Sequence, residues 1–316
     1  MNLSRTLRVI TFSLISFSVI GGSAQAQPFS NGTFDPGAVD AGIPGFVGPD
    51  GLGIISSNNQ VNPLFTDWAS GFQNYLPSSE ITPQFGIPEQ ALGPVTGSFD
   101  SIVSLGELTV EQIASGTSPG EITLTFGNPI KDGPGADFAV FENGFGFADT
   151  GLLFAELAYV EVSTDGINFL RFPSISLTPN PLDPFGQIDP TQVNNLAGKH
   201  VNNGVVLADG FSFQSWGTPF DLDVLTGLPD VQAGLVNLHE INFVRILDIP
   251  GNGGFADSNG NPIFDPFQTP IPGSGGFDLE AVGVINAASV PESSHILSLL
   301  FLGLSGVVFS TSSRQK

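Results

Sequence analysis

Glycine and proline constrain the fold of this chain more than any other feature of its sequence. The 316 residues include 40 glycines and 25 prolines. Proline lacks the amide hydrogen that a helix interior needs, and glycine destabilises helices through its backbone freedom. This density argues against a helical bundle and favours many short strands joined by turns.

Several segments between these turns have the pattern of strands. Residues 121–126 alternate polar and apolar side chains, whereas 137–141 form a more continuous apolar run. Residues 158–172 read as a hairpin that turns at Asp165 and Gly166. Further strands are predicted at 241–249 and 277–285, and one or two helical turns at 65–75. We therefore predict an all-β fold, an antiparallel β-sandwich of jelly-roll type with long loops.

Charge and cysteine content exclude several functions. The net charge is −22, with 30 acidic and only 8 basic residues, so nucleic acid is a poor partner because phosphate contacts require Lys and Arg. The absence of cysteine excludes disulfides, thiolate metal sites and cysteine nucleophiles. Such an acidic chain suits a calcium-rich exterior.

The N-terminal segment 1–26 has the pattern of a secretory signal peptide. Arg5 and Arg8 precede an apolar stretch, and Ala24 and Ala26 fit the small-x-small cleavage rule. The alternative is an uncleaved membrane anchor, for which the apolar stretch is short.

The C-terminal segment 290–316 carries a second apolar stretch, at 296–310, followed by Arg314 and Lys316. The motif Val290-Pro291-Glu292 precedes it. This order of motif, apolar segment and basic end resembles the PEP-CTERM sorting signal, although the second proline of that signal is Ser293 here.

The PEP-CTERM resemblance implies processing by an exosortase-type transpeptidase in a Gram-negative bacterium. It also implies transient anchoring in the inner membrane and export to the cell surface or extracellular matrix. A plain C-terminal membrane anchor is the alternative.

Between these ends, 27–289 is expected to form one acidic domain, loop-rich over 27–120 and with its main strands over 121–289. The hairpin 159–169 and a later strand at 244–246 resemble discoidin-like (galactose-binding-like) jelly rolls. The blocks 137–145 and 276–284 also resemble those of uncharacterised bacterial cell-surface proteins, a family that implies no assigned chemistry.

The best candidate metal site lies at 257–265. Asp257, Asn259, Asn261 and Asp265 offer side-chain oxygens at positions 1, 3, 5 and 9, as the first part of a calcium loop does. A full EF-hand is excluded, because Pro262 occupies the place of the turn glycine. Other residues must complete the shell; otherwise the segment is an Asn/Gly-rich turn that caps its own backbone.

A weaker metal candidate is the glycine-rich loop that begins at Asp132. It could wrap a cation or simply form a turn. The carboxylates considered as additional ligands are Asp132, Asp137, Glu142, Asp248 and Asp278.

Other functions have less support in the sequence. Trp216 is the best candidate for a sugar-binding aromatic face, or else it fills the edge of the core. The pattern Gly-x-Ser-x-Gly occurs once between the terminal segments, at 116–120, but it precedes the predicted strand 121–126 and does not link a strand to a helix as a nucleophile elbow does. An H-E-x-x-H motif is not present, so no catalytic residue is assigned.

The sequence thus predicts an exported structural or adhesive protein of the cell surface or extracellular matrix, stabilised by calcium. The first alternative is a carbohydrate-binding module that contacts exopolysaccharide or other surface glycans. A polysaccharide hydrolase or lyase is the second alternative.

Overall fold

A computed structural model describes residues 29–30, 40–271 and 273–288. Strands account for 38% of the structure and helices for 9%, which confirms the all-β, antiparallel prediction. None of the helices among these residues has both the length and the apolar character needed to span a bilayer. The segments 1–26 and 290–316, with their signal-peptide and sorting-motif residues, lie outside the described residues.

The described residues contain twenty strands, many of them only two or three residues long. Numbered β1 to β20 along the chain, they are Ile43–Pro44, Phe46–Val47, Gln60–Val61, Asp67–Leu76, Val103–Ser104, Glu121–Ile130, Phe138–Glu142, Phe145–Phe147, Leu152–Phe154, Ala158–Ser163, Leu170–Arg171, Ile175–Ser176, Val193–Asn194, Gly204–Leu207, Gly210–Ser212, Trp216–Phe220, Ile241–Asp248, Asn252–Ala256, Pro262–Phe264 and Asp278–Val284.

Helical structure is confined to short segments between strands. Two α-helices, α1 and α2, span Val110–Ala114 and Pro229–Gln232. Thr109 and Gln112 form a capping box at the start of α1, each side chain accepting a hydrogen bond from the other residue's backbone amide. Short 3₁₀ turns occupy Pro83–Phe85, Pro88–Ala91, Pro190–Gln192 and Leu222–Leu225.

One large antiparallel sheet organises the fold. Its strands follow the order β1-β16-β7-β20-β4-β6-β17-β10-β11, and β5 also pairs with β20. A smaller four-stranded sheet, β15-β14-β8-β9, lies beside it and contains one parallel pair, β14 with β8. Strand β4 comes from the loop-rich N-terminal part yet occupies the middle of the large sheet.

The large sheet closes over its own core. Phe172 follows β11 at one end of the strand order, and Phe220 lies in β16 near the other end. Their ring centroids are nevertheless 4.9 Å apart. Phe138 of β7 stacks on Phe220 at 5.3 Å. All three side chains are almost completely buried, so contacts between the two ends of the sheet enclose the main apolar core.

The structure confirms most predicted strands and corrects one segment. β6, β7, β17 and β20 fall where the apolar patterns placed them, and β10 pairs with β11 as the predicted hairpin. The prediction of helical turns at 65–75 is wrong, because Asp67–Leu76 is strand β4. Its pairing with β6 shifts register twice, and such bulges break the two-residue alternation of a strand.

The Phe220 contacts generate a stability prediction. Phe220→Ala should lower the free energy of unfolding by about 3–5 kcal/mol, since it removes a buried ring and leaves a cavity. Urea unfolding of the purified chain measures this value. Ile167→Ala is the control, because Ile167 is 82% exposed and its truncation should change stability by less than about 0.5 kcal/mol. A similar small loss for Phe220→Ala would contradict closure through this contact.

Candidate cation site

The antiparallel register brings four acidic residues to one end of the large sheet. Glu142 ends β7, Asp278 begins β20, Asp248 ends β17, and Glu156 lies two residues before β10. Leu279 of β20 pairs with Glu142, and Ala158 of β10 pairs with Asp248. In antiparallel pairs the end of one strand lies beside the start of the next, so these carboxyl groups gather at the same end.

Loops add two more carboxyl groups, Glu107 after β5 and Asp265 after β19. We call the six residues the acidic cluster. Each has a relative exposure of at most 6%. The members are Glu107, Glu142, Glu156, Asp248, Asp265 and Asp278.

Burial makes the charged form of these groups unfavourable. It raises the pKa of Glu142 and that of Glu156 well above the usual range, and in both cases the negative charge of Asp278 raises the pKa further. Burial likewise raises the pKa of Asp278 to about 8 and that of Glu107 to about 7. The cluster is therefore an arrangement of carboxyl groups that repel one another when ionised.

Backbone amides satisfy only part of the cluster. The amide of Phe277 donates to Oδ1 of Asp248 at 2.8 Å, and that of Leu157 donates to Oδ2 of Asp265 at 2.7 Å. Three buried oxygens accept no hydrogen bond from the described residues: Oε2 of Glu142, Oδ2 of Asp248 and Oδ1 of Asp278. A buried acceptor without a donor is costly, so these three oxygens are the atoms of the cluster at which a cation or a hydrogen-bond donor could bind.

The basic side chains of the described residues do not supply that group. Arg171 and Arg245 both pair with Glu161 on another part of the sheet, and Lys199 pairs with Asp40. Lys131 is exposed and forms no ion pair with a described residue. The acidic cluster thus has no compensating basic residue in the part of the chain that the structure describes.

The loop that begins at Asp132 forms a second, smaller acidic group. Carboxylate oxygens of Asp132, Asp137 and Asp221 all lie within 4.8 Å of one another. Asp137 is fully buried, and it accepts hydrogen bonds from the amides of Gly133 and Leu222. Asp132 and Asp221 are partly exposed, so we call these three residues the surface trio.

The two acidic groups differ in spacing. No other trio of acidic or histidine side chains among the described residues is spaced as closely as the surface trio. With the side chains in their present positions, at most two carboxylates of the acidic cluster could hold one cation. Neutral oxygens would supply its other ligands, and calcium binds such mixed sets of oxygens.

The main sequence-predicted metal loop is placed differently. Oδ1 of Asp257 accepts hydrogen bonds from the amides of Asn259 and Asn261, and Oδ2 accepts from Nδ2 of Asn261 and the amide of Ser176. Asp257 therefore caps its own turn. Asp265 belongs instead to the acidic cluster. Burial raises its pKa well above the usual range, and the negative charges of Asp248 and Glu107 raise it further.

Trp216 lies within strand β16 and is only 7% exposed. Its indole Nε1 donates to Gln214 at 3.1 Å, and the ring lies against Gly53, where an added Cβ would come within 2.5 Å of the indole. A sugar platform needs an exposed ring face, which Trp216 does not present. The structure places it at the edge of the core, the alternative that the sequence left open.

Sequence reasoning named four of the six residues of the acidic cluster, although it did not place them in one site. It named Glu142, Asp248 and Asp278 as weaker candidates and Asp265 within another site, but it missed Glu107 and Glu156. Glu156 carried a weak signal, since it stands inside the apolar run 152–160, where an acidic residue needs an explanation.

Comparison with known proteins adds no relative to this picture: no family model and no curated protein matches the chain.

The raised pKa values predict how the metal-free protein responds to pH. A carboxyl group whose pKa is higher in the folded state stabilises the fold at low pH and loses that contribution as the pH rises through the folded pKa. In EDTA, the urea concentration at the unfolding midpoint should therefore decrease as the pH is raised from about 5 to about 8. Groups such as Asp278 cause the upper part of this decrease.

Asp278→Asn removes one of these titrations and should flatten the profile near pH 8. Urea unfolding at a series of pH values, read by fluorescence, measures both profiles. A midpoint that rises over this range would contradict the assignment of raised pKa values to the cluster.

Proposed function

We propose that the protein is an exported structural or adhesive module of the cell surface or extracellular matrix, stabilised by calcium bound in the acidic cluster. The observation that carries this proposal is the burial of six carboxyl groups without a compensating basic side chain among the residues that the structure describes. Outside the cell, calcium is the abundant hard cation that carboxylates prefer. The closed antiparallel sheet supports a jelly-roll-like sandwich as the architecture.

A divalent cation would change the balance of forces in the cluster. Without it, ionised Glu142, Asp248 and Asp278 repel one another in surroundings that weakly solvate charge. With it, two of these carboxylates would hold the ion together with neutral oxygens, and their unpartnered oxygens would gain a positive partner. Folding and calcium binding are then coupled, because the unfolded chain does not gather these residues.

The terminal segments support the export part of the proposal. The signal-peptide pattern at 1–26 and the PEP-CTERM-like segment at 290–316 suit a chain processed by an exosortase-type transpeptidase after transient membrane anchoring. A net charge of −22 also suits a protein that remains soluble among surface polymers and repels anionic ones.

Thermal unfolding with and without calcium tests the metal part of the proposal. Calcium at a hundred times its dissociation constant stabilises a fold by about 2.7 kcal/mol. For a domain of this size, that corresponds to a rise of about 5 °C or more in Tm. We expect such a rise between EDTA and millimolar calcium, and we expect magnesium to produce a smaller one.

Two matched variants locate the ion. Asp248→Asn should abolish most of the calcium-dependent rise, whereas Asp221→Asn, in the surface trio, should preserve it. If only Asp221→Asn loses the calcium-dependent rise in Tm, the ion binds at the surface trio and the assignment to the acidic cluster is wrong. No rise in the unsubstituted chain would contradict calcium stabilisation itself.

A further inference from the structure

A cavity of about 290 Å³ opens beside the acidic cluster. Its polar lining, which we call the floor, consists of Glu156 and Asp278 of the cluster together with Asn143, Thr269 and Ser274. This volume is close to the lower end of the range for small-molecule sites. The cavity therefore offers a route from solvent to two of the buried carboxyl groups.

Four phenylalanine rings form the apolar walls of the cavity. Phe145, Phe154 and Phe185 follow one another with successive ring centroids 5.2 and 6.3 Å apart. Phe99 is the fourth, and it packs against Phe211, with ring centroids 6.2 Å apart.

These walls are exposed to a degree that is unusual for phenylalanine. Phe185 is 73% exposed and Phe99 is 42% exposed. Phenylalanine has no polar atom to gain from water, so exposed rings grouped around a cavity mark a binding surface.

The chemistry of floor and walls favours a cation. Asp278 lines the cavity, and its buried Oδ1 has no hydrogen-bond partner within 3.5 Å among the described residues. One oxygen of Glu156 accepts from the amide of Gly276 at 3.0 Å. The faces of phenylalanine rings carry negative potential and attract ammonium groups. A cation in the cavity would favour the ionised forms of Glu156 and Asp278, so its binding would release their protons.

We propose that this cavity binds a small organic molecule with an ammonium group, whose apolar part packs between the phenylalanine walls. The positive charge faces Glu156 and Asp278, and the carbon atoms around it contact Phe99 and Phe185. The chain's strong negative charge also raises the local concentration of cationic ligands. This inference goes beyond the proposed function. Asp278 belongs to both sites, so calcium and the ammonium group would compete for it, and the test is therefore made in EDTA.

Calorimetric titration of the full chain in EDTA at pH 7.5 tests the proposal with defined probes. The first pair is choline and its uncharged isostere 3,3-dimethylbutan-1-ol, which share shape but differ in charge. Choline should bind at least about ten-fold more tightly than the isostere. Glucosamine is the third probe, and its affinity relative to choline distinguishes a primary amine on a sugar from a quaternary ammonium.

Two variants of exposed residues test whether the phenylalanine walls contribute to binding. Phe185→Ala should weaken binding of the ammonium probe about two- to five-fold, as expected for the loss of one exposed cation–π contact. Ile167→Ala, which truncates an exposed apolar side chain in the 163–168 turn, should leave the affinity unchanged.

The proposal is overturned if the isostere binds as tightly as choline, if neither choline nor glucosamine binds, or if Phe185→Ala has no effect. Because the titrations are performed in EDTA, a failure of the calcium test leaves their outcome unaffected. Equally, a failure to bind ammonium says nothing against calcium.

Discussion

Electrostatic repulsion among buried carboxyl groups is the constraint on which the interpretation of this structure depends. The protein places six acidic side chains at one end of its main sheet and leaves three of their oxygens without a hydrogen-bond donor among the described residues. A buried carboxyl group can lower its free energy by retaining a proton or by gaining a cation. The same cluster therefore makes the stability of the fold depend on pH and, under our proposal, on calcium.

The fold gathers these groups through strand pairing and not through a local loop. Glu142 and Asp278 lie on neighbouring strands, while Asp248 and Glu156 come from a second pair of neighbouring strands further along the sheet. Closure of the sheet through Phe172 and Phe220 brings its two ends together over one core. A site of this kind exists only in the folded chain, which is why metal binding and folding would be linked.

The sequence predicted the fold class well because its signals are local. Alternation in 121–126 and the Asp165-Gly166 turn are properties of a few consecutive residues, and each corresponds to an observed strand or hairpin. Strand β4 was mistaken for helical turns because Trp68, Phe72 and Tyr75 are spaced by four and three residues. The register shifts of β4 against β6 produce this spacing in a strand.

The candidate site was predicted only in part because its geometry is not local. The Asp257 loop has calcium-like spacing, yet its oxygens accept hydrogen bonds from their own turn. Glu107 and Asp265 are 158 positions apart in the numbering, and no spacing rule connects them. The sequence does show the excess of acidic over basic residues. Between the two terminal segments, the acidic residues are offset only by Lys131, Arg171, Lys199 and Arg245.

Infrared difference spectroscopy of the purified chain at pH 7 tests the central claim most directly, because protonated and ionised carboxyl groups absorb at separate frequencies. In EDTA, we expect a band from protonated carboxyl groups, which Asp278→Asn reduces. Addition of calcium should remove that band and produce the absorption of metal-bound carboxylates. A protonated band that is absent in EDTA, or one that calcium leaves unchanged, would contradict a buried cluster that exchanges protons for a cation.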